Sequence, residues 1–289
     1  MKKGSSIGVV TIVGAGGKMG TRIRRNLIKA GLKPGLIEVS EARRREIKAE
    51  GLEATADYAA VRGSDFVVLA VPDRLIGKIS AEVVPLLRGD ATLILLDPAA
   101  AYAGELAKRP DCTFVVTHPC HPPLFLEMET PEAKADLFGG AGAPQDIVIA
   151  LESGREERLS GAEELCRLMF APVMKSHRIT VKDMALLEPA AAEVIAAGAA
   201  TLIRQAVDEA IKRGVPSDAA WAFMLGHTKI VLSIVFGRTD FPFSDAAQIA
   251  IKVGFEKAIR PDWRRVFDDD VLAETVNRML HPDHDMPMQ

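Results

Sequence analysis

Apolar residues in the first half of the chain fall in short, nearly unbroken runs at 9–13, 36–39, 66–71, 92–96 and 113–117. Runs of this length without alternation predict strands covered on both faces. The intervening segments 18–30, 41–50 and 75–87 carry helical spacing, and Gly31 and Gly51 close the first two. Further on, 145–151 and 173–176 read as strands and 156–170 as a helix. Strand alternating with helix predicts an α/β fold, a doubly wound parallel sheet with right-handed crossovers.

Residues 118–144 interrupt this rhythm. They hold Pro119, Pro122, Pro123, Pro131 and Pro144, with Gly139, Gly140 and Gly142. An irregular loop of this length is expected to carry function. Beyond about His177 the pattern becomes helical throughout: an Ala-rich helix at 181–213, a second starting at Pro216 and running to about Phe236, then 244–259 and 262–280. The division expected is a first domain at 1–177 and an all-helical domain at 178–289. Helices apolar on most sides, such as 190–203, need a cover. A second subunit is the cover expected, making a homodimer through the helical domain. The tail from His281 is expected to fray.

Composition narrows the class. With 289 residues, two domains are the natural expectation. Hydrophobic residues make up 48% and charged residues 26%, enough for a large core. A net charge of -3 offers no basic excess, so no nucleic-acid partner is expected. Cys112, Cys120 and Cys166 suggest no disulfide framework and fit a reducing, cytoplasmic location. Lys2 and Lys3 before the 7–13 run imitate a signal peptide, but the run ends in glycines and passes into the basic stretch 22–25. A buried strand is expected there instead. No uninterrupted apolar stretch reaches ~18 residues, so no membrane-spanning helix is expected.

The first run is followed by Gly14-Ala15-Gly16-Gly17-Lys18-Met19-Gly20. Placed after a strand and opening a helix, these glycines let backbone approach a pyrophosphate at the helix N-terminus, which is a Rossmann dinucleotide site. Glu38, about 20 residues on, has the spacing to accept from the adenosine ribose hydroxyls. Its charge opposes a 2′-phosphate and favours NAD over NADP. Arg43-Arg44-Arg45 reads as a solvated helix face, and Glu41 as an acid complementing the helix dipole. Val71, Pro72 and Asp73 end the 66–71 strand, where a Rossmann crevice borders the nicotinamide.

The sharpest chemical string is Thr117-His118-Pro119-Cys120-His121-Pro122-Pro123. His118 and His121 are read as bases or ligands at a strand's carboxyl end. No second Cys/His pair accompanies them, so a closed structural zinc site is not expected. In the long helix, Glu188 and Glu193 lie among alanines, where a buried carboxylate demands a partner or a metal. Spaced i, i+5, they sit about 140° apart on a regular helix and do not share a face. Pro189 is expected to kink the helix beside Glu188. His227, after Gly226, and Lys182 and Lys229 are further helical-domain candidates.

The strings Gly14–Gly20, Glu38-Val-Ser-Glu41, Ala70-Val-Pro-Asp-Arg-Leu-Ile-Gly-Lys78, Asp97-Pro-Ala-Ala100, His118-Pro-Cys-His-Pro-Pro123 and Leu187-Glu-Pro189 together resemble the D-apionate oxidoisomerases. These belong with the 6-phosphogluconate dehydrogenase-like and ketol-acid reductoisomerase-like enzymes. The resemblance runs from about residue 7 to 270. It implies NAD-dependent oxidation of a branched sugar acid with a skeletal migration, D-apionate giving 3-oxo-isoapionate. It implies a helical domain that dimerises, and a divalent metal, Zn or Mg, held by His118 and Glu188. His121 or His227 becomes the base that takes a hydroxyl proton, with Glu193 a further catalytic candidate. The reductoisomerases place two acids at i, i+4 on a helix; the position four beyond Glu188 is Ala192. The alternative activity is a β-hydroxyacid or semialdehyde dehydrogenase without migration.

Overall fold

The computed structural model describes residues 7–282. Lys2, Lys3 and residues from 283 onward lie outside the described residues. By packing, the chain forms two compact units, one of residues up to 187 together with those from 273, the other Glu188–Leu272.

The first unit is built on seven strands: β1 (Val10–Val13), β2 (Gly35–Ile37), β3 (Phe66–Leu69), β4 (Thr92–Leu95), β5 (Thr113–Pro119), β6 (Gln145–Ser153) and β7 (Val173–Arg178). They lie in the order β2-β1-β3-β4-β5-β6-β7. Every residue of β1, β3 and β4 is buried, which is why these runs show no alternation. Helix α1 (Lys18–Lys29) connects β1 to β2, α2 (Glu41–Ala49) follows β2, and α3 (Asp73–Val83) connects β3 to β4. Strand order reverses at β1, so right-handed crossovers place α1 and α3 on opposite faces. The carboxyl ends of β1 and β3 therefore flank a crevice, the usual ligand position in such sheets.

Short helices α4 (Ala99–Tyr102) and α5 (Pro131–Ala135) follow β4 and β5. Helix α6 (Leu159–Met169) joins β6 to β7 and packs against α1. Ile12, Ile23, Leu27, Val68, Ile147 and Leu165 belong to the core between helices and sheet. At about 1.5–3 kcal/mol per fully buried large apolar side chain, this core is the main stabilising term of the unit.

The sheet is dominated by parallel pairs, with one departure from the expected pattern. The sheet is not wholly parallel, because β6 runs antiparallel to β5. The segment joining them contains no crossover helix on a sheet face. It leaves and re-enters at the same edge, which forces antiparallel pairing. β5 also runs two residues further than its apolar run. His118 and Pro119 are ladder residues opposite Val148 and Ile147, not loop residues.

A single helical rod, Val181–Lys212, leads out of the first unit. It comprises α7 (Val181–Ala185), a π-helical stretch Leu186–Ala197 and α8 (Gly198–Lys212). Pro189 lies inside the π stretch and supplies no N–H to an α ladder. Helices α9 (Ser217–Val235) and α10 (Asp245–Lys257) follow. Helix α11 (Asp269–Leu280) belongs to the first unit from Ala273 on, with Val276 and Leu280 buried. The units thus divide ten residues later than the sequence pattern suggests, and the last helix returns to the first. His281, expected to fray, is placed with Nε2 2.7 Å from Glu105 Oε1.

The second unit buries little of its own apolar surface. Along α9 only Ala220 is buried, while Phe223, Leu225 and Val235 are each more than 60% exposed. The helices 181–212 and 217–235 are long and apolar enough to cross a membrane by length and composition. Charged and polar residues such as Glu188, Arg204, His227 and Lys229 punctuate these helices, so neither is one unbroken apolar run.

Candidate active site

The carboxyl ends of the mutually parallel β1, β3, β4 and β5 meet at one edge of the sheet, and the chemistry of the first unit gathers there. Gly14 ends β1 with φ 83°, and a Cβ at that position would collide with the Ala70 carbonyl oxygen. Only glycine lets the β1 turn pass this close to the end of β3. A Cβ at Gly20 would strike the Gly14 carbonyl oxygen, so this glycine seats α1 on the loop. Lys18 and Met19 form the first turn of α1, whose N-terminal N–H groups face the loop.

Glu38 is 3% exposed and binds the loop directly. Its Oε2 accepts from the Gly16 N–H at 2.9 Å, and its Oε1 accepts from the Ser40 N–H at 2.9 Å. Each oxygen keeps lone-pair capacity for a further donor. The carboxylate also lines a cavity of about 200 Å³ with Val39, Arg43, Tyr58, Val71 and Pro72. The cavity opens beside the glycine loop, with Gly14 in its lining. The arginine run is only partly the solvated face expected of it. Arg45 pairs with exposed Glu41, but Arg44 caps the Glu38 and Val39 carbonyls, and Arg43 lines the cavity. Asp73 sits exposed in the first turn of α3.

At the ends of β4 and β5, His118 donates from Nδ1 to the Leu96 carbonyl at 3.0 Å. A carbonyl only accepts, so this bond sets the tautomer and puts the ring's lone pair on Nε2. Burial is the largest influence on the ring and pulls its pKa below the ordinary imidazole value, against the Leu96 bond and the Asp97 charge. The imidazole is therefore neutral near pH 7, the form that ligates metal or takes a proton. Asp97 is 5% exposed, and its Oδ1 accepts from the Ala99 N–H at 2.7 Å. Asp97 and His118 offer ligand atoms within 4.8 Å of each other. A buried carboxylate beside a neutral imidazole whose other nitrogen is held by a carbonyl is a donor set that suits a divalent cation. Asp97 has no role assigned by sequence pattern; its local signal is an acid directly after an apolar strand and before a proline.

His121 adopts φ 60°, a left-handed conformation uncommon for a non-glycine residue. Its Nδ1 donates to the Phe138 carbonyl at 2.8 Å, so its lone pair also resides on Nε2. The His118 and His121 rings meet edge to face with centroids 6.0 Å apart. Cys120 is exposed at its surface, yet partial desolvation first, then the Asp146 charge, pushes its thiol up to about 11, which disfavours the thiolate. Among the described residues Cys120 is not part of the donor group that includes Asp97 and His118.

The remaining sequence candidates lie in the second unit. Glu188, its first residue, is half-buried, whereas Glu193 is exposed. Both fall in the π-helical stretch. A π-helix bonds i to i+5, so positions five apart lie closer to one face than in a regular helix, and the 140° separation expected of the two acids does not hold there. His227 is exposed, stacks on Phe223 at 3.8 Å between centroids, and has Nδ1 2.9 Å from the Phe223 carbonyl.

Comparison with known proteins bears on this arrangement. Residues 127–280 match the family of the phosphogluconate dehydrogenase (decarboxylating) C-terminal domain. D-apionate oxidoisomerase of Cupriavidus necator is 44% identical over 93% of this chain and 98% of its own length. D-apionate oxidoisomerase of Blautia hydrogenotrophica is 44% identical over 95% of this chain and 97% of its own. A crystal structure of a semialdehyde dehydrogenase NAD-binding protein from Cupriavidus necator, in complex with calcium and NAD, superposes with TM-score 0.91 at 43% identity, covering 94% of this chain and 99% of that one. An NADH-preferring ketol-acid reductoisomerase shares the fold at TM-score 0.67 and 16% identity, covering 94% of this chain and 82% of that one. The protein is an NAD-dependent oxidoreductase.

Proposed function

Because the chain belongs to the D-apionate oxidoisomerase family, we propose that it converts D-apionate to 3-oxo-isoapionate with NAD, assisted by a divalent metal. The observation that carries this reading is the pairing, at one sheet edge, of the glycine loop tied to Glu38 with His118 held through Leu96 beside Asp97.

The proposed ligands are His118 and Glu188, with Asp97 joining them. Two carboxylates and one imidazole suit Mg or Zn, and the calcium in the Cupriavidus protein supports a divalent site in this fold. A divalent ion, when bound, lowers the cost of negative charge on substrate oxygens. The chain's own residues do the rest. Gly14, Ala15, Gly16, Gly17, Lys18 and Met19 hold the pyrophosphate, and Glu38 accepts from the ribose. Val71, Pro72 and Asp73 wall the nicotinamide side. His121 takes the hydroxyl proton on Nε2 while hydride leaves the same carbinol carbon for NAD. His227 is the alternative base and Glu193 a further catalytic candidate; their exposure in this chain favours His121.

A second copy is proposed to cover the apolar faces of α8, α9 and α10, where Leu202, Phe223, Leu225, Ile249 and Phe255 are exposed. This gives a homodimer through the helical unit, with no membrane or nucleic-acid partner. The thiols Cys112 and Cys166, buried and unpaired, support a cytoplasmic location.

Formation of NADH from D-apionate, followed with and without chelator, tests the reading. Chelator-sensitive NADH formation is expected. Chelator-resistant turnover would remove the metal from the account. Similarity to the semialdehyde dehydrogenase NAD-binding protein of Cupriavidus necator favours a second reading, a dehydrogenase that oxidises without migration; product connectivity separates the two.

A further inference from the structure

The segment after α5 folds around one carboxylate. Asp136 is a buried acid whose Oδ1 accepts from the Gly139 N–H at 3.0 Å. Its Oδ2 accepts from the N–H groups of Ala141 at 2.8 Å, Gly142 at 2.8 Å and Ala143 at 3.1 Å. Arg22 of α1 pairs with the same carboxylate at 3.3 Å and also donates to the Gly139 carbonyl. Burial alone would raise the Asp136 carboxyl, but the Gly142, Ala141 and Ala143 N–H groups and Arg22 outweigh it and bring it down to about 2. The acid is charged at every working pH, and it closes 136–143 into a rigid ring.

Phe138 sits on that ring. Its carbonyl accepts from His121 Nδ1 at 2.8 Å, and its phenyl ring lies 4.6 Å from the His121 ring. Lys18 Nζ stands 3.9 Å over the same phenyl ring, and the Arg22 guanidinium lies 4.6 Å from its centroid. A side chain from the first turn of the dinucleotide-loop helix thus touches the residue that orients His121.

We propose that Asp136 is a positioning residue: by ordering the Phe138 carbonyl it holds His121 in its left-handed conformation as the Nδ1–H tautomer, aimed from a platform shared with the dinucleotide-loop helix. The Phe138 carbonyl is the acceptor that holds the proton on Nδ1, and a free imidazole favours the Nε2–H form. Nε2 would then carry a proton and could not accept one. The catalytic consequence rests on His121 being the base, as proposed above. The tautomer consequence does not.

The test uses full-length protein labelled with nitrogen-15 at its six histidines. Long-range proton–nitrogen NMR reports the tautomer of each ring, and His121→Gln assigns the His121 signals. Wild type is expected to show His121 as Nδ1–H, and Asp136→Asn a mixture dominated by Nε2–H. A single Nδ1–H form in both proteins overturns the inference. Turnover supplies a second arm as a double-mutant cycle. Asp136→Asn should lower kcat about tenfold with the NAD dissociation constant unchanged, and should cause no further loss on the His121→Gln background. Equal losses on both backgrounds would make Asp136 merely structural and overturn the inference. If Asp136→Asn does not fold, Arg22→Gln takes its place in both arms, with a smaller shift in the same direction. If His121→Gln alone keeps wild-type kcat, the base assignment fails, and the tautomer arm still decides the role of Asp136.

Discussion

His118 Nδ1 and the Leu96 carbonyl oxygen lie 3.0 Å apart, and this bond between the ends of neighbouring strands decides which nitrogen of His118 can do chemistry. The ring offers Nε2, beside Asp97. Replacing His118 with Ala should therefore remove a proposed metal ligand and leave the dinucleotide site intact. Turnover is expected to fall by more than about 100-fold, beyond the loss typical of removing an outer-shell partner. NAD affinity, read by NADH fluorescence titration, should stay within about twofold, well under the 1.4 kcal/mol that a tenfold change represents. Near wild-type turnover would sink the ligand assignment.

The glycine loop yields a prediction of a different kind. Gly14 combines φ 83° with backbone contact to Ala70. An alanine there is strained twice, by its dihedral and by its Cβ. Gly14→Ala should destabilise the first unit by about 1–3 kcal/mol and weaken NAD about tenfold or more. Thermal unfolding in the absence and presence of NAD would show both effects.

Glu38 serves two purposes that one substitution separates. Glu38→Gln keeps the shape but leaves an amide where the Gly16 or Ser40 N–H now meets an oxygen. A stability loss of about 1–3 kcal/mol is expected from the mismatched donor. Removing the charge, with Arg43 lining the same cavity, should also raise the NADP-to-NAD ratio of kcat/KM by about tenfold, some 1.4 kcal/mol. An unchanged ratio would mean that Glu38 does not face the ribose.

Acid sensitivity can be traced to one cluster. Hydrogen bonds from Arg24 and Arg25 bring the Glu50 carboxyl from its ordinary 4.5 down to about 2. A depressed folded pKa stabilises the fold above 4.5, and that contribution is lost as the pH falls toward 2. Melting temperature should drop through this window, and Glu50→Gln should flatten part of the drop. Because Glu50 is 36% exposed, high salt should shrink the effect.

The helical unit makes a prediction about assembly. Light scattering without detergent should give twice the 31.1 kDa chain mass. Leu225→Glu, on the 64% exposed face of α9, should shift the mass toward monomer. A wild-type monomer, or recovery only in membrane fractions, would contradict the proposed homodimer.

Much of this architecture is visible in the chain. The glycine loop, its β1–α1 setting and Glu38 follow from local pattern, because close backbone approach permits few residue types. His118 and His121 stand out because proline isolates them. What pattern could not supply is how segments distant in sequence meet. The antiparallel β6 depends on where a 25-residue connection returns, as the bounds of β5 and β6 show. Asp97 acquires meaning only beside His118, and Asp136 only through the four amides it gathers. The π-helical stretch departs from the 3.6-residue period that would set Glu188 and Glu193 on different faces.

Oxidation coupled to migration changes the carbon skeleton, so the connectivity of the product reports it. D-apionate labelled with carbon-13, incubated with NAD and a divalent metal, should yield NADH and a 3-oxo acid whose carbon connectivity differs from that of apionate. NADH accompanied by an oxidised product with the original connectivity would contradict the account and leave a dehydrogenase without isomerisation.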